Sequence, residues 1–211
     1  MELPTDSFLD GYVRITPEAF AARCCIRAQD ALQLAIRDVS AWAFVISDLH
    51  TALNSAMVAA LRGSAEIGAY ADREFNEWAE WLEDGSRKGK PAPKSERVAE
   101  FRKLLERATS PEWSIMLGGD PIVLSSAERK DIEKLHLFRS DLLHVKPKTW
   151  SLEAAGLPRI CGAAASALKQ LFELPSVYLH LEGGLYKEAK QAIDGILDAA
   201  AQFPSSPPWE E

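Results

Sequence analysis

The chain has 211 residues, which is enough for one substantial hydrophobic core. Hydrophobic residues make up 47% and charged residues 26%, proportions typical of a folded globular protein rather than a disordered one. A net charge of −7 excludes a protein that binds nucleic acid through a broad cationic surface, although it leaves room for a small basic site. We predict a single domain over residues 1–203 and a flexible, proline-rich tail at 204–211.

Segments that would direct the chain to a membrane or out of the cell are not evident. No apolar run of about 18 residues or more lacks a charge, and the first residues have neither a basic nor an apolar region. The odd set of Cys24, Cys25 and Cys161 matches neither a disulfide framework nor a zinc site, so we expect small core residues. These features predict a cytoplasmic protein with no membrane contact, no metal and no cofactor.

The first predicted elements are two long helical tracts. Thr16 and Pro17 form a helix start, with a capping residue followed by proline at the first helical position. The apolar periodicity continues to Val39, and a second, more apolar tract runs from Ser40 to about Gly63. The two tracts are either separate helices or one kinked helix. The apolar character of the second predicts the central element of a bundle.

The rest of the chain also reads as helices joined by polar loops. The loop at 85–95 is rich in glycine, proline and basic residues, which predicts an exposed connection. We found no internal repeat, phosphate-loop glycine pattern or dinucleotide fingerprint. The predicted fold is therefore an all-α helical bundle with long central helices. Four further helices are predicted at 66–81, 95–108, 158–173 and 184–203, in addition to the helix described next.

An amphipathic helix is predicted to begin at the capping candidate Ser125 and to end near His144 or Val145. Pro147 sets this end, because proline disfavours helical backbone in the residue before it. The apolar side of the helix carries residues at steps of three and four, namely Ile132, Leu135, Phe138 and Leu142.

Arg139 and His144 are the candidate catalytic residues at the end of this helix. Arginine carries a fixed charge that binds phosphate oxygens, and histidine exchanges a proton near neutral pH, which together suit RNA cleavage without metal. A helix C-terminus also favours the imidazolium form of His144. Residues five apart on an ideal helix point about 140° away from each other. Convergence therefore requires a distorted last turn or a second copy of the helix across a twofold axis.

The surroundings of this pair are polar and mostly basic. His136 and Ser140 lie on the same side of the helical wheel as the pair, and His136 is either a substrate-binding residue or an ordinary surface residue. Together with Asp141, the two lysines after the helix, Lys146 and Lys148, complete the expected substrate-binding set. An alternative interpretation is an ordinary polar helix face, with Arg139 paired to an acid and His144 capping carbonyl groups.

Three residues outside this helix could also take part in function. His50, within the apolar tract, is expected to be a hydrogen-bonded core or groove histidine rather than a ligand. Trp78 and Trp81 could stack on bases, but their acidic neighbours repel phosphate, so we expect them to pack within the protein or against another subunit.

The string LHLFRSDLLHVKPKTWSLEAAGLPRI, residues 135–160, resembles the signature region of HEPN-domain proteins, the higher eukaryotes and prokaryotes nucleotide-binding family. That family carries arginine, a polar residue and then histidine at the end of a helix in an all-α bundle. The resemblance implies that Arg139 and His144 form the catalytic pair and that Ser140 occupies the polar position, where asparagine, aspartate or histidine is more usual. Asp141 would contribute in place of Ser140 where the helix end is distorted.

Many HEPN proteins are metal-independent endoribonucleases of toxin or defence systems, with sites formed between two subunits. By resemblance, His144 would be general base or acid, and Arg139 would stabilise the charge on the phosphorane. The sequence thus predicts a homodimeric endoribonuclease with an RNA substrate and, as a further partner, an antitoxin or another protein. The alternative is a non-catalytic HEPN-like module that binds RNA, a nucleotide or a protein.

Overall fold

Helices make up most of residues 15–143 and 153–202, the parts of the chain that the computed structural model describes. These parts contain no strand, only an isolated antiparallel bridge between Tyr70 and Val98. The predicted all-α bundle is therefore confirmed. The described helices are Pro17–Ala35 (α1), Trp42–Leu61 (α2), Asp72–Glu80 (α3), Phe101–Ala108 (α4), Ser114–Leu117 (α5), Ser126–Leu143 (α6), Leu157–Phe172 (α7), Pro175–Tyr178 (α8) and Gly183–Gln202 (α9).

Helix α2 is the centre of the bundle, as its apolar sequence predicts. It packs against α1, α4, α6 and α7, and its buried positions run from Trp42 to Leu61. By length and composition the segment Val39–Leu61 could cross a membrane, with a mean hydropathy of 1.3 over its most apolar window. Two thirds of that window, 67%, is buried inside the protein, as in the core helix of a bundle.

The first two tracts are separate helices rather than one kinked helix. Helix α1 ends at Ala35, and a single 3-10 turn at Val39–Ala41 precedes α2. Asp38 caps this turn, because its carboxylate accepts a hydrogen bond from the backbone N–H of Ser40 at 2.9 Å.

The three cysteines are core residues, as predicted. Cys24, Cys25 and Cys161 are buried and unpaired. Burial raises the pKa of the Cys24 thiol to about 11 and that of Cys161 to about 12, so both remain protonated near neutral pH.

The predicted starts of the third and fourth helices are wrong. The third begins at Asp72 rather than at 66, and the fourth at Phe101 rather than at 95. The intervening residues instead pair backbone to backbone: the Ala71 N–H donates to the Arg97 carbonyl at 2.8 Å, and the Ala99 N–H to the Ala69 carbonyl at 2.9 Å. This pairing joins residues far apart in the chain, so local periodicity does not reveal it. The short helices α5 and α8 were not predicted, whereas α7 and α9 lie within one residue of their predicted bounds.

Arg107 fixes one side of this pairing. Its side chain is 1% exposed, and the guanidinium donates hydrogen bonds to the carbonyls of Gly68 at 2.9 Å and Tyr70 at 2.5 Å, and to Asp72. The guanidinium also lies 4.3 Å from the centre of the Trp113 ring. Arg107 therefore anchors the segment against which residues 97–99 pair.

Helix α6 begins with the predicted cap. The Ser125 N–H donates to the Glu128 carboxylate at 2.8 Å, and the Glu128 N–H donates to the Ser125 hydroxyl at 3.2 Å, a reciprocal capping box. The buried Asp131 binds Arg159 of α7 at 2.6 Å. The helix continues to Leu143. Its predicted end at His144 or Val145, like the tail at 204–211, lies outside the described residues.

We expect Arg107→Leu to lower the free energy of unfolding by about 2 to 4 kcal/mol, because the Gly68 and Tyr70 carbonyls lose their donor in a buried setting. Chemical denaturation followed by circular dichroism measures the change. Arg73→Ala is the matched control in α3, because Arg73 is 77% exposed and its ion pair in the described chain is with Glu77, one turn along the helix. It should cost much less than Arg107→Leu, because solvent screens an exposed ion pair. Equal losses in the two variants would contradict the anchoring role of Arg107.

Candidate functional site

A cavity of about 500 Å³ lies between α2, the start of α4 and α6. Two of its walls carry histidine, and two arginines contribute guanidinium groups. The residues that line it are His50, Thr51, Asn54, Val98, Ala99, Glu100, Phe101, Arg102, His136 and Arg139. Its outer wall, residues 98–100, is the extended segment that follows the basic loop.

The predicted site residues divide into three groups. Arg139 and His136, one turn apart on α6, both line the cavity. Ser140 is half-buried and Asp141 is exposed on the same helix, but neither is among the described residues that line it. His144, Lys146 and Lys148 lie outside the described residues.

Arg139 is half-buried and forms no ion pair or hydrogen bond with another described residue. Within the described chain it therefore lacks the acidic partner that the alternative interpretation requires. Arg102, the other arginine of the cavity, binds Glu133 at 2.8 Å. Of the two guanidinium groups, Arg139 is thus the one whose charge is available to a ligand.

His50 and His136 form a pair. The Nε2 atom of His50 lies 3.0 Å from the Nδ1 atom of His136, so one ring donates a hydrogen bond to the other. The Phe101 ring stacks on both, with centroids 4.5 Å from His50 and 4.7 Å from His136. The prediction that His50 is a hydrogen-bonded groove histidine is confirmed. His136 is a half-buried member of the same cluster rather than an ordinary surface residue.

Both imidazoles are neutral near pH 7. The pKa of His50 is lowered from 6.5 to about 3, first by burial, then by the charge of Arg139, and last by the neighbouring His136. Burial, then Arg102, lowers the pKa of His136, although Glu133 opposes the shift. The pair can therefore donate and accept hydrogen bonds at neutral pH without contributing positive charge.

On the α2 side of the cavity only His50 was predicted as a candidate from the sequence; Thr51 and Asn54 were not. Asn54 lies one turn after His50, and Thr51 lies beside it. The Thr51 hydroxyl donates back to the Ser47 carbonyl at 2.7 Å, whereas Asn54 forms no hydrogen bond with another described residue. Polar residues one turn apart in an otherwise apolar helix are the signal that would have indicated this wall.

The tryptophans of α3 and the turn after it pack within the protein, as expected. The indole N–H of Trp78 donates to the Ser95 carbonyl, and that of Trp81 donates to the Lys90 carbonyl, each at 2.9 Å. These two hydrogen bonds attach the loop at 85–95 to α3 and the turn after it. No group of three or more His, Cys, Asp or Glu residues in the described part of the chain is placed to hold a metal ion.

No protein-family model, curated protein or solved structure matches this chain. The resemblance to HEPN-domain proteins therefore remains a prediction that depends on the segment from Arg139 to His144.

The lowered pKa of His50 predicts an acid-sensitive fold. An unfolded histidine binds a proton below about pH 6.5, whereas folded His50 stays neutral down to about pH 3, so stability present above pH 6.5 is lost as the pH falls. As the pH falls from 7 to 5, protonation of this histidine in the unfolded state should lower the free energy of unfolding by about 2 kcal/mol.

Denaturant unfolding of His50→Gln at the two pH values measures this contribution. The variant should lose about 2 kcal/mol less than the wild type on acidification. His180→Gln is the control, because it removes a histidine that is exposed and does not line the cavity. Parallel losses in the wild type and His50→Gln would contradict a neutral, buried His50.

Proposed function

We propose that this protein is a HEPN-like, metal-independent endoribonuclease that cleaves RNA by attack of the ribose 2′-hydroxyl on the adjacent phosphate. The observation that carries the proposal is the position of Arg139. Its guanidinium lines a cavity without an acidic partner in the described chain, beside two neutral imidazoles. A planar cation in such a setting suits a phosphodiester, which carries one negative charge.

The proposed chemistry divides the work between Arg139 and His144. Arg139 binds the non-bridging phosphate oxygens and stabilises the charge that develops on the phosphorane. His144 takes the proton from the 2′-hydroxyl, and a second histidine returns a proton to the departing 5′-oxygen. The products are a 2′,3′-cyclic phosphate and a 5′-hydroxyl. Ser140 would donate a hydrogen bond to the phosphate, while His136, Asp141, Lys146 and Lys148 would position the RNA.

A homodimer would supply the second histidine. Leu137, Ser140 and Leu143 follow one another at three-residue steps and so share a face of α6. The two leucines are 51% and 55% exposed, although they are large and apolar. Packing this face against a second copy would cover them and place the two copies of α6 side by side. A ribonuclease of this kind would act in the cytoplasm in a toxin–antitoxin or defence system, with a cognate antitoxin or another protein as its partner.

A second candidate function is the binding of RNA or a nucleotide without cleavage. Its support is the neutrality of His50 and His136, because neither ring is in the imidazolium form that a general acid requires at neutral pH. In this case Arg139 would hold the phosphate, and the same cavity would bind the ligand without turnover.

The purified protein should cleave a labelled RNA in the presence of EDTA, because the proposed chemistry uses no metal. We expect His144→Ala to lower the cleavage rate by about 10² to 10⁴, the range for losing a general acid or base. Arg139→Ala should lower it by about 10² to 10³, the range for losing a group that stabilises the developing charge. The appearance of cyclic-phosphate ends measures the rate.

Lys130→Ala is the matched control, since Lys130 is an exposed cation near the start of α6. It should cleave as the wild type does. Cleavage that survives in His144→Ala and Arg139→Ala would show a contaminating nuclease. RNA binding that depends on Arg139, without cleavage by any form of the protein, would favour the second candidate.

A further inference from the structure

We propose that the cavity between α2, α4 and α6 binds one nucleotide of a single-stranded RNA, with its phosphate at Arg139 and its base against Asn54 and the His50–His136 pair. The inference rests on the proposed function and adds a base-recognition site to it. In this proposal the cavity selects the substrate by binding one of its bases.

The dimensions of the cavity agree with a ligand of this size. Its volume of about 500 Å³ lies within the range of small-molecule sites, which is about 300 to 1,000 Å³. Its outer wall is preformed, because Ala99 pairs with Ala69 and Arg107 anchors the segment behind it. A nucleotide would therefore enter a site that already has its shape.

The cavity contains a charged group for a phosphate and, on another wall, neutral hydrogen-bonding groups for a base. Arg139 offers a cation for the phosphate, whereas the Asn54 amide offers one acceptor and two donors that bind no other described residue. His50 is 4% exposed, and its Nδ1 atom has no hydrogen-bond partner in the described chain. The edges of bases are neutral and present both donors and acceptors, so these groups complement a base better than a second phosphate.

Phe101 fixes the orientation of the histidine pair and leaves the half-buried His136 ring as the aromatic contact for a base. The Phe101 and His136 rings are nearly parallel, at 4°, and both lie within 5.2 Å of His50. Of the three rings only that of His136 is half-buried rather than buried, and proteins that recognise single-stranded RNA commonly bind unstacked bases on histidine rings. A base within a duplex is stacked and cannot enter a cavity of this kind. The substrate that fits is therefore unpaired RNA.

Calorimetric titration of the full-length chain tests the assignment with defined probes. The probes are inorganic phosphate, ribose 5-phosphate, the four ribonucleoside monophosphates and a single-stranded oligoribonucleotide with a 2′-O-methyl group at every position to prevent cleavage. At least one monophosphate should bind about tenfold or more tightly than ribose 5-phosphate, the discrimination expected of a well-placed amide contact to a base. The oligonucleotide should bind more tightly than any monophosphate.

Asn54→Leu should remove most of the preference for the base, whereas Lys130→Ala should keep it. Ribose 5-phosphate binding as tightly as every monophosphate would overturn the base site. A free monophosphate binding as tightly as the oligonucleotide would overturn its assignment to an RNA strand. Cleavage that is retained alongside either result would leave the proposed function standing, so the two failures are distinguishable.

Proton NMR of the wild-type imidazole resonances provides a test that does not depend on a stable Asn54 variant. Addition of the preferred monophosphate should shift the resonances of His50 and His136, assigned with His50→Gln and His136→Gln, and should leave the exposed His180 unchanged. Saturating ligand that leaves both cavity histidines unshifted would overturn the proposal.

Discussion

The need to bury α2 on nearly every side is the constraint on which the rest of the structure depends. A helix that is apolar around most of its circumference is stable only when other helices cover it, and α1, α4, α6 and α7 do so. A polar residue of α2 that is buried then needs a partner inside the protein. His50 meets that demand by pairing with His136 of α6, which couples the central helix to the helix that carries Arg139.

Burial affects the two kinds of basic group in the cavity differently. It lowers the pKa of the imidazoles, so both histidines are neutral at pH 7, whereas a guanidinium keeps its charge in almost any setting. The result is a cavity in which Arg139 supplies positive charge while His50 and Asn54 supply neutral hydrogen-bonding groups. In the proposed ribonuclease, that division assigns the phosphate to one wall and the base to another, and it leaves proton transfer to His144.

Elements that depend on interactions between residues close in the chain were predicted correctly, whereas elements that depend on distant residues were not. The cap at Ser125, the course of α6 and the cores of α7 and α9 depend on residues within a turn or two, and the sequence predicted them. The predicted starts of α3 and α4 were wrong because segments 69–71 and 97–99 pair with each other instead of joining the helices. Arg107 stabilises that pairing. Helical periodicity carries no information about a partner so far along the chain.

In the candidate site, too, the local arrangement on one helix follows from the sequence, whereas contacts between helices do not. The spacing of Arg139, His136 and Ser140 on one amphipathic helix follows from the sequence alone, because a helix repeats every 3.6 residues. The pairing of His136 with His50, 86 residues away, does not follow from it, nor does the cavity that Arg139 lines. Both depend on how α2, α4 and α6 pack. The neutral state of the histidines has the same origin, since a pKa responds to the desolvation and charges that distant parts of the chain bring together.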